Sequence, residues 1–208
     1  MNPVTYYHLI LDASGSMSDI RIPTLNAVNH QLQSIRKIAR LHPDQDIRVS
    51  LTTFNTSTNS AFVHRHPSHL PELSLKQYKT DGGTALLDAI GITIPETENL
   101  LKENDDVIML IITDGEENAS QYFTYQQIAR KIQALKKTER WTFSFLGADI
   151  NAWSAAKHLH FDKEEVLSFS KADMDFTVNE TSERLDTFIR FKKQGKRDGF
   201  MKDRGSLN

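Results

Sequence analysis

Asp12-Ala13-Ser14-Gly15-Ser16 places one carboxylate and two hydroxyls at alternate positions directly after an apolar run, residues 4–11. On a sharp turn, three such oxygens can converge on one hard cation. Two further oxygen-bearing segments follow. Asp81-Gly82-Gly83-Thr84 precedes a helical pattern, and Thr113-Asp114-Gly115 follows the most apolar run of the chain, residues 107–112. Neither cysteine nor histidine occurs in these segments, so the donors suit magnesium, manganese or calcium and poorly suit zinc or copper. Magnesium is the first choice, because it keeps several waters and takes few protein ligands. Asp12 and Asp114 balance a divalent charge, while Ser14, Ser16 and Thr84 add dipoles without charge. Such a shell leaves the ion electrophilic toward one more carboxylate. Asp81, Glu116 and Glu117 lie near these loops in sequence, so the empty site repels itself and a bound cation is expected to stabilise the fold.

Each segment alone has a plainer reading. Asp12, Ser14 and Ser16 can form a capping turn, Thr84 an ordinary N-cap and Asp114 a turn. For the set, that reading requires three oxygen-rich loops to meet by chance at one end of one parallel sheet. The assembled metal site is the better account.

The same residues carry a family resemblance. Asp12, Ser14 and Ser16, then Thr84, then Asp114 resemble the metal-ion-dependent adhesion site of von Willebrand factor type A domains, Asp-x-Ser-x-Ser followed by a distant Thr and a distant Asp. Residues 83–91 and 112–118 look like the small stand-alone members found in bacteria and their viruses, and the likeness covers roughly residues 3–190. It implies that the two serines and the threonine bind the ion and that the aspartates bind it directly or through water. It also implies that a carboxylate from a protein partner fills the open position. The expected function is therefore a metal-dependent protein-binding module, not an enzyme, whose partner presents an exposed Glu or Asp. Asn55, Tyr78, Asp81, Glu117 and Tyr122 are candidates for setting specificity on the neighbouring loops.

The elements that must position these residues alternate. Residues 4–11 read as a buried strand, and Leu25, Val28, Leu32, Ile35 and Ile38 form one face of a helix over 23–41. Residues 46–54 read as a strand, with residues 61–63 as its antiparallel hairpin partner at the sheet edge. A helix capped by Thr84 is expected to reach about Lys102, kinked where Pro95 opposes the Gly91 carbonyl. Residues 105–113 form the central strand, because 107–112 is apolar without alternation and must be covered on both faces. Helix at 121–137, strand at 141–146, short helix at 153–159, strand at 166–169 and helix at 175–191 complete the pattern. The predicted fold is a doubly wound, mostly parallel Rossmann-like α/β sheet with one antiparallel edge strand and helices on both faces. In such sheets ligands bind outside the carboxyl ends of the strands, where Asp12 and Asp114 fall.

The chain has 208 residues, no cysteine and a net charge of −2, consistent with one globular domain. Lack of cysteine excludes disulfides, thiol catalysis and cysteine-ligated zinc. No basic, apolar leader and no bilayer-length apolar run occurs, so a cytoplasmic location is expected. From residue 190 onward seven Lys and Arg face two Asp, a charge of +5, so the preceding residues carry −7. Residues 1–190 are read as the domain and 191–208 as a basic, flexible tail. That tail offers one rival function, a nucleic-acid adaptor. The other is a magnesium-dependent phosphohydrolase using Asp12 as nucleophile. It lacks an Asp-x-Asp turn, a phosphate loop ending in Lys-Ser or Lys-Thr, and a lysine within the three segments. His64, His66 and His69 cluster in sequence, but Pro67 breaks their spacing and they are not assigned to a metal.

Overall fold

A computed structural model describes residues 3–115, 117–147, 150–168 and 174–195. In chain order the elements are β1 (Val4–Asp12), a 3-10 turn (Gly15–Ile20), α1 (Arg21–Leu41), β2 (Asp46–Phe54) and β3 (Thr58–Arg65). There follow α2 (Leu86–Glu98), β4 (Asp106–Thr113), α3 (Tyr125–Lys136), β5 (Trp141–Gly147), α4 (Ile150–His158), β6 (Val166–Ser168) and α5 (Met174–Lys193). The six strands lie in the order β3-β2-β1-β4-β5-β6, all parallel to their neighbours except β3, which runs antiparallel to β2 at the edge. The doubly wound sheet is as predicted. Phe169, read as the end of the last strand, lies outside the described residues, as does Glu116.

The order explains where a ligand can bind. From β1 the chain moves through α1 to β2 on one side, and later returns through α2 to β4 on the other. Connections leaving β1 and β4 therefore diverge at their carboxyl ends and open a crevice between them. Register fixes what sits there: Leu11 pairs with Ile112, so Asp12 stands beside Thr113 and one residue short of Asp114.

Two apolar layers hold the sheet. On one face Tyr7, Leu9, Leu11, Ile108, Leu110 and Ile112 pack with Leu25, Val28, Leu32 and Ile35 of α1 and with Leu185, Phe188 and Ile189 of α5. On the other, Ile10, Met109, Ile111, Phe143 and Phe145 pack with α2, α3 and α4. All eight residues of β4 are buried, as a strand covered on both faces requires. α5 is also tied down by polar groups: Gln31 donates to the Tyr7 hydroxyl and accepts from Thr181 and Ser182, each at 2.9 Å.

Several boundaries differ from expectation: the edge strand β3 runs Thr58–Arg65 rather than 61–63, α1 starts at Arg21 rather than 23, and α4 spans Ile150–His158 rather than 153–159. α2 stops at Glu98 rather than Lys102, because the Asp105 carboxylate takes the Lys102 and Val4 amides and closes a turn there. α3 starts at Tyr125 rather than 121. Thr124 and Gln127 form a reciprocal capping box at that start, while the amides of 121–123 are bound elsewhere. α5 continues to Lys193, past the expected end of the helix. Pro95 lies inside α2, and Gly91 has a use beyond relieving it: a Cβ there would fall 2.5 Å from the Phe123 ring. Among the described residues no helix is long and apolar enough to cross a membrane.

His8 is buried between β1 and α2, near the Thr97 hydroxyl and 5.6 Å from the His64 ring. Burial first, and the neighbouring His64 second, push its pKa down to about 3. The unfolded chain therefore binds more protons at this site between about pH 6.5 and 3, so stability falls as pH drops through that window. Urea unfolding at pH 6.5 and 4.5 is expected to show a loss of about 2 kcal/mol from this group. His8→Phe, which cannot titrate, is expected to lose less stability over the same interval; an equal loss would assign the effect to other groups.

Candidate metal centre

β1 ends on Asp12, which has 0% exposed surface. One of its oxygens accepts the Ser14 amide at 2.7 Å and the other the Thr113 hydroxyl at 2.5 Å. Its backbone carbonyl accepts the Tyr78 hydroxyl at 2.7 Å. Burial raises the Asp12 carboxyl to about 6 despite the bonds from Thr113 and Ser14, and the charge of Asp114 adds to the rise. A buried carboxylate beside the partly exposed one of Asp114 creates a demand for a positive charge that no lysine or arginine among the described residues meets through a hydrogen bond to Asp12.

The hydroxyls gather on the same point. Ser14 Oγ lies 3.1 Å from Ser16 Oγ, and Ser16 Oγ donates to Asp114 Oδ1 at 2.7 Å. A Cβ on Gly115 would stand 3.4 Å from Ser16 Oγ and 3.6 Å from Thr84 Oγ1, so this glycine lies close beside both hydroxyls. Asp12, Ser14, Ser16, Thr84 and Asp114 thus converge from three loops.

Capping does not account for them. Ser14 occupies the N-cap position of the 3-10 turn yet makes no side-chain cap bond. The N-cap of α2 is Ala85, not Thr84 as its sequence position suggests. Thr84 sits one residue further out because its backbone is claimed by the third loop: Asn118 Oδ1 accepts its amide, while the Asn118 and Ala119 amides donate to its carbonyl. The first two loops are stitched likewise, Gly15 donating to Gly82 and Asp81 to Ala13, both at 3.0 Å. Close approach of these loops needs glycine at 83, where a Cβ would meet Asn118 Oδ1 at 2.8 Å.

Of the five specificity candidates, two are corrected. Tyr78 is buried and holds the Asp12 carbonyl. Glu117 is occupied by the Leu87, Ala119 and Ser120 amides and the Ser120 hydroxyl. Asn55 and Asp81 bind each other at 2.5 Å on the exposed rim, and Tyr122 is 75% exposed. Asp88, Asn118 and Ser120 were not singled out from sequence, though a lone acid near the start of an apolar helix was a signal. Asp88 is buried and accepts the Gln121, Tyr122 and Phe123 amides at 2.8 to 3.0 Å. Among the described residues no group of three or more His, Cys, Asp or Glu could hold a metal. The five-residue set is not of that kind: it combines two carboxylates with three hydroxyls, a donor chemistry that fits a hard divalent ion. His64 packs against Tyr6 and His8, while His66 lies against Ser68 and His69.

Asp88→Asn would point an amide N–H at backbone donors, leaving a buried group unsatisfied. The expected cost is about 2 kcal/mol, read by thermal unfolding, together with faster amide exchange at 121–123. Unchanged exchange there would show that the loop is held by other contacts.

No family model matches the chain, and no curated protein does. Solved structures do. Proximal thread matrix protein 1 from the mussel byssus, with a zinc-occupied MIDAS motif, is 13% identical over 89% of this chain, with a TM-score of 0.59. This chain spans 46% of that protein's length. The von Willebrand factor domain of the type V pili tip protein Mfa5 from Porphyromonas gingivalis is 11% identical, covering 89% of this chain and 95% of its own, with a TM-score of 0.62. A von Willebrand factor type A protein from Catenulispora acidiphila is 13% identical over 89% of this chain and 43% of its own, with a TM-score of 0.56. At these identities the likeness is one of architecture, and with the strand order above it establishes that this chain has the von Willebrand factor type A fold.

Proposed function

We propose that this chain is a metal-dependent protein-binding module in which Asp12, Ser14, Ser16, Thr84 and Asp114 hold a divalent cation. The observation that carries the reading is the chain of contacts from Ser14 through Ser16 to Asp114, with Thr84 and Ser16 beside Gly115 and no helix-capping duty at Ser14 or Thr84. Ser14, Ser16 and Thr84 would supply neutral oxygens, and Asp114 and Asp12 the charge. Asp12 already accepts one bond on each oxygen, which suits it to hold the loop and to reach the ion through water. The bound ion supplies an electrophilic position for an Asp or Glu carboxylate of a protein partner. Magnesium is preferred, with manganese or calcium as substitutes. The zinc in the mussel protein's motif is a reason to include zinc in any titration.

The rival functions are less well supported. A phosphohydrolase needs an accessible nucleophile, whereas Asp12 is fully buried with both oxygens engaged. A nucleic-acid adaptor needs available cations, whereas Lys192 binds Asp106 at 2.8 Å, Lys193 binds Asp44 at 2.6 Å and Arg190 binds Asp186 at 2.7 Å. The rest of the predicted tail, residues 196–208, lies outside the described residues.

Thermal unfolding with magnesium, manganese, calcium or zinc against chelator tests the reading. Saturable stabilisation is expected, about 2.7 kcal/mol when free metal is a hundredfold above Kd. Thr84→Ala is expected to weaken metal affinity at least about tenfold while the metal-free melting temperature changes little. A wild-type protein indifferent to every metal would overturn the proposal.

A further inference from the structure

We propose that the groove between α3 and α4 is a second docking surface, one that takes an acidic protein segment. Gln126, Arg130, Gln133 and Lys137 recur at spacings of four, three and four along α3, which places them on one flank of the helix. Ala129 and Ala134 floor the space between them, and His158 and His160 close it from the end of α4. The concavity measures about 760 Å³. Among the described residues no carboxylate lines it.

The distribution of partners on α3 supports a ligand. Lys131 and Lys136, on other faces of the same helix, are matched by Glu98 at 2.7 Å and Glu165 at 2.5 Å. Arg130 and Lys137 have no ion-pair partner among the described residues and stand exposed at the groove. Neither α3 nor α4 contains an acidic residue. An unneutralised strip on a domain whose residues up to 189 carry −7 is a local reversal of sign, complementary to negative charge.

Shape and floor select the class of ligand. The small alanine floor accepts alternate apolar side chains. Gln133 donates to the His160 carbonyl at 3.0 Å, which holds its amide across the groove, where its oxygen can meet a peptide N–H. A nucleic acid would call for aromatic stacking platforms along the strip; the aromatic neighbour here, Tyr125, is engaged with His158 at 5.2 Å between ring centroids. The occupant is therefore an extended segment with Asp or Glu at the rim and apolar residues toward the floor. This surface does not require the metal site.

Fluorescence anisotropy with a short labelled peptide of alternating Leu and Glu tests it, at ionic strength near 0.15 M and with chelator present. Saturable binding to the wild type is expected, weakened at least about tenfold in Arg130→Glu/Lys137→Glu. Ala134→Trp, which fills the floor without altering charge, is expected to abolish it. Circular dichroism melting verifies that both variants fold. Failure of the wild type to bind, or equal binding by either folded variant, would overturn the proposal. So would equal competition by a poly-thymidine strand of matched charge, which would assign the strip to nucleic acid.

Discussion

Asp12 is a carboxylate with no exposed surface that joins the ends of two neighbouring parallel strands. Its contact with Thr113 ties β1 to β4, and its contact with the Ser14 amide turns the chain so that Ser14 meets Ser16 and Ser16 meets Asp114. Removing a carboxylate from water is costly, and neutral hydrogen bonds repay only part of that cost. The upward displacement of its pKa expresses the remainder. The crevice at the sheet's switch point is thus built around an electrostatic deficit, which on the proposed function a bound cation would relieve.

The loops stay in place through carboxylates that look like ligands but serve the backbone. Asp88 satisfies three consecutive amides ahead of α3, and Glu117 satisfies three more together with a hydroxyl. Irregular loop backbone has no ladder in which to pair its N–H groups, and buried unpaired groups cost as much as lost hydrogen bonds. Charged acceptors suit this purpose because their bonds are stronger than neutral ones. The third loop, anchored in this way, then holds the second through Asn118 and Thr84.

Much of this was legible in the sequence because period and position carry it. The unbroken apolar run at 107–112 could only be a strand covered twice, and the five-residue helical spacing in α1 appears intact in the core. Asp12 and Asp114 stood at the ends of predicted parallel strands, so their proximity followed from the strand order. What sequence could not display was the use of individual polar groups. Thr84 before an apolar helix reads as a cap, but a tertiary partner, Asn118, fixes its backbone and shifts the cap to Ala85. Tyr78 and Glu117 sit on the right loops, yet whether a side chain points to solvent or inward is decided by packing between segments far apart in sequence. The late start of α3 has the same origin, since Asp88 captures amides that would otherwise have opened the helix.

The saturation of Glu117 bears directly on the proposed chemistry. An acidic group on the loop after Asp114 would ordinarily compete for a bound cation or repel an approaching carboxylate. Here four donors face its two oxygens, so its charge is delivered to the backbone dipoles of the loop and not to the crevice. On the proposed function, the ion's donors among the described residues would be two carboxylates, one of them buried and hydrogen-bonded on both oxygens, and three neutral hydroxyls. Two carboxylates would balance a divalent charge without a surplus of their own. Replacing any of the hydroxyls by a carboxylate would bind metal more tightly but would cancel the attraction for an anionic partner. On the proposed function, serine and threonine at these positions would favour a site whose affinity is completed from outside the chain.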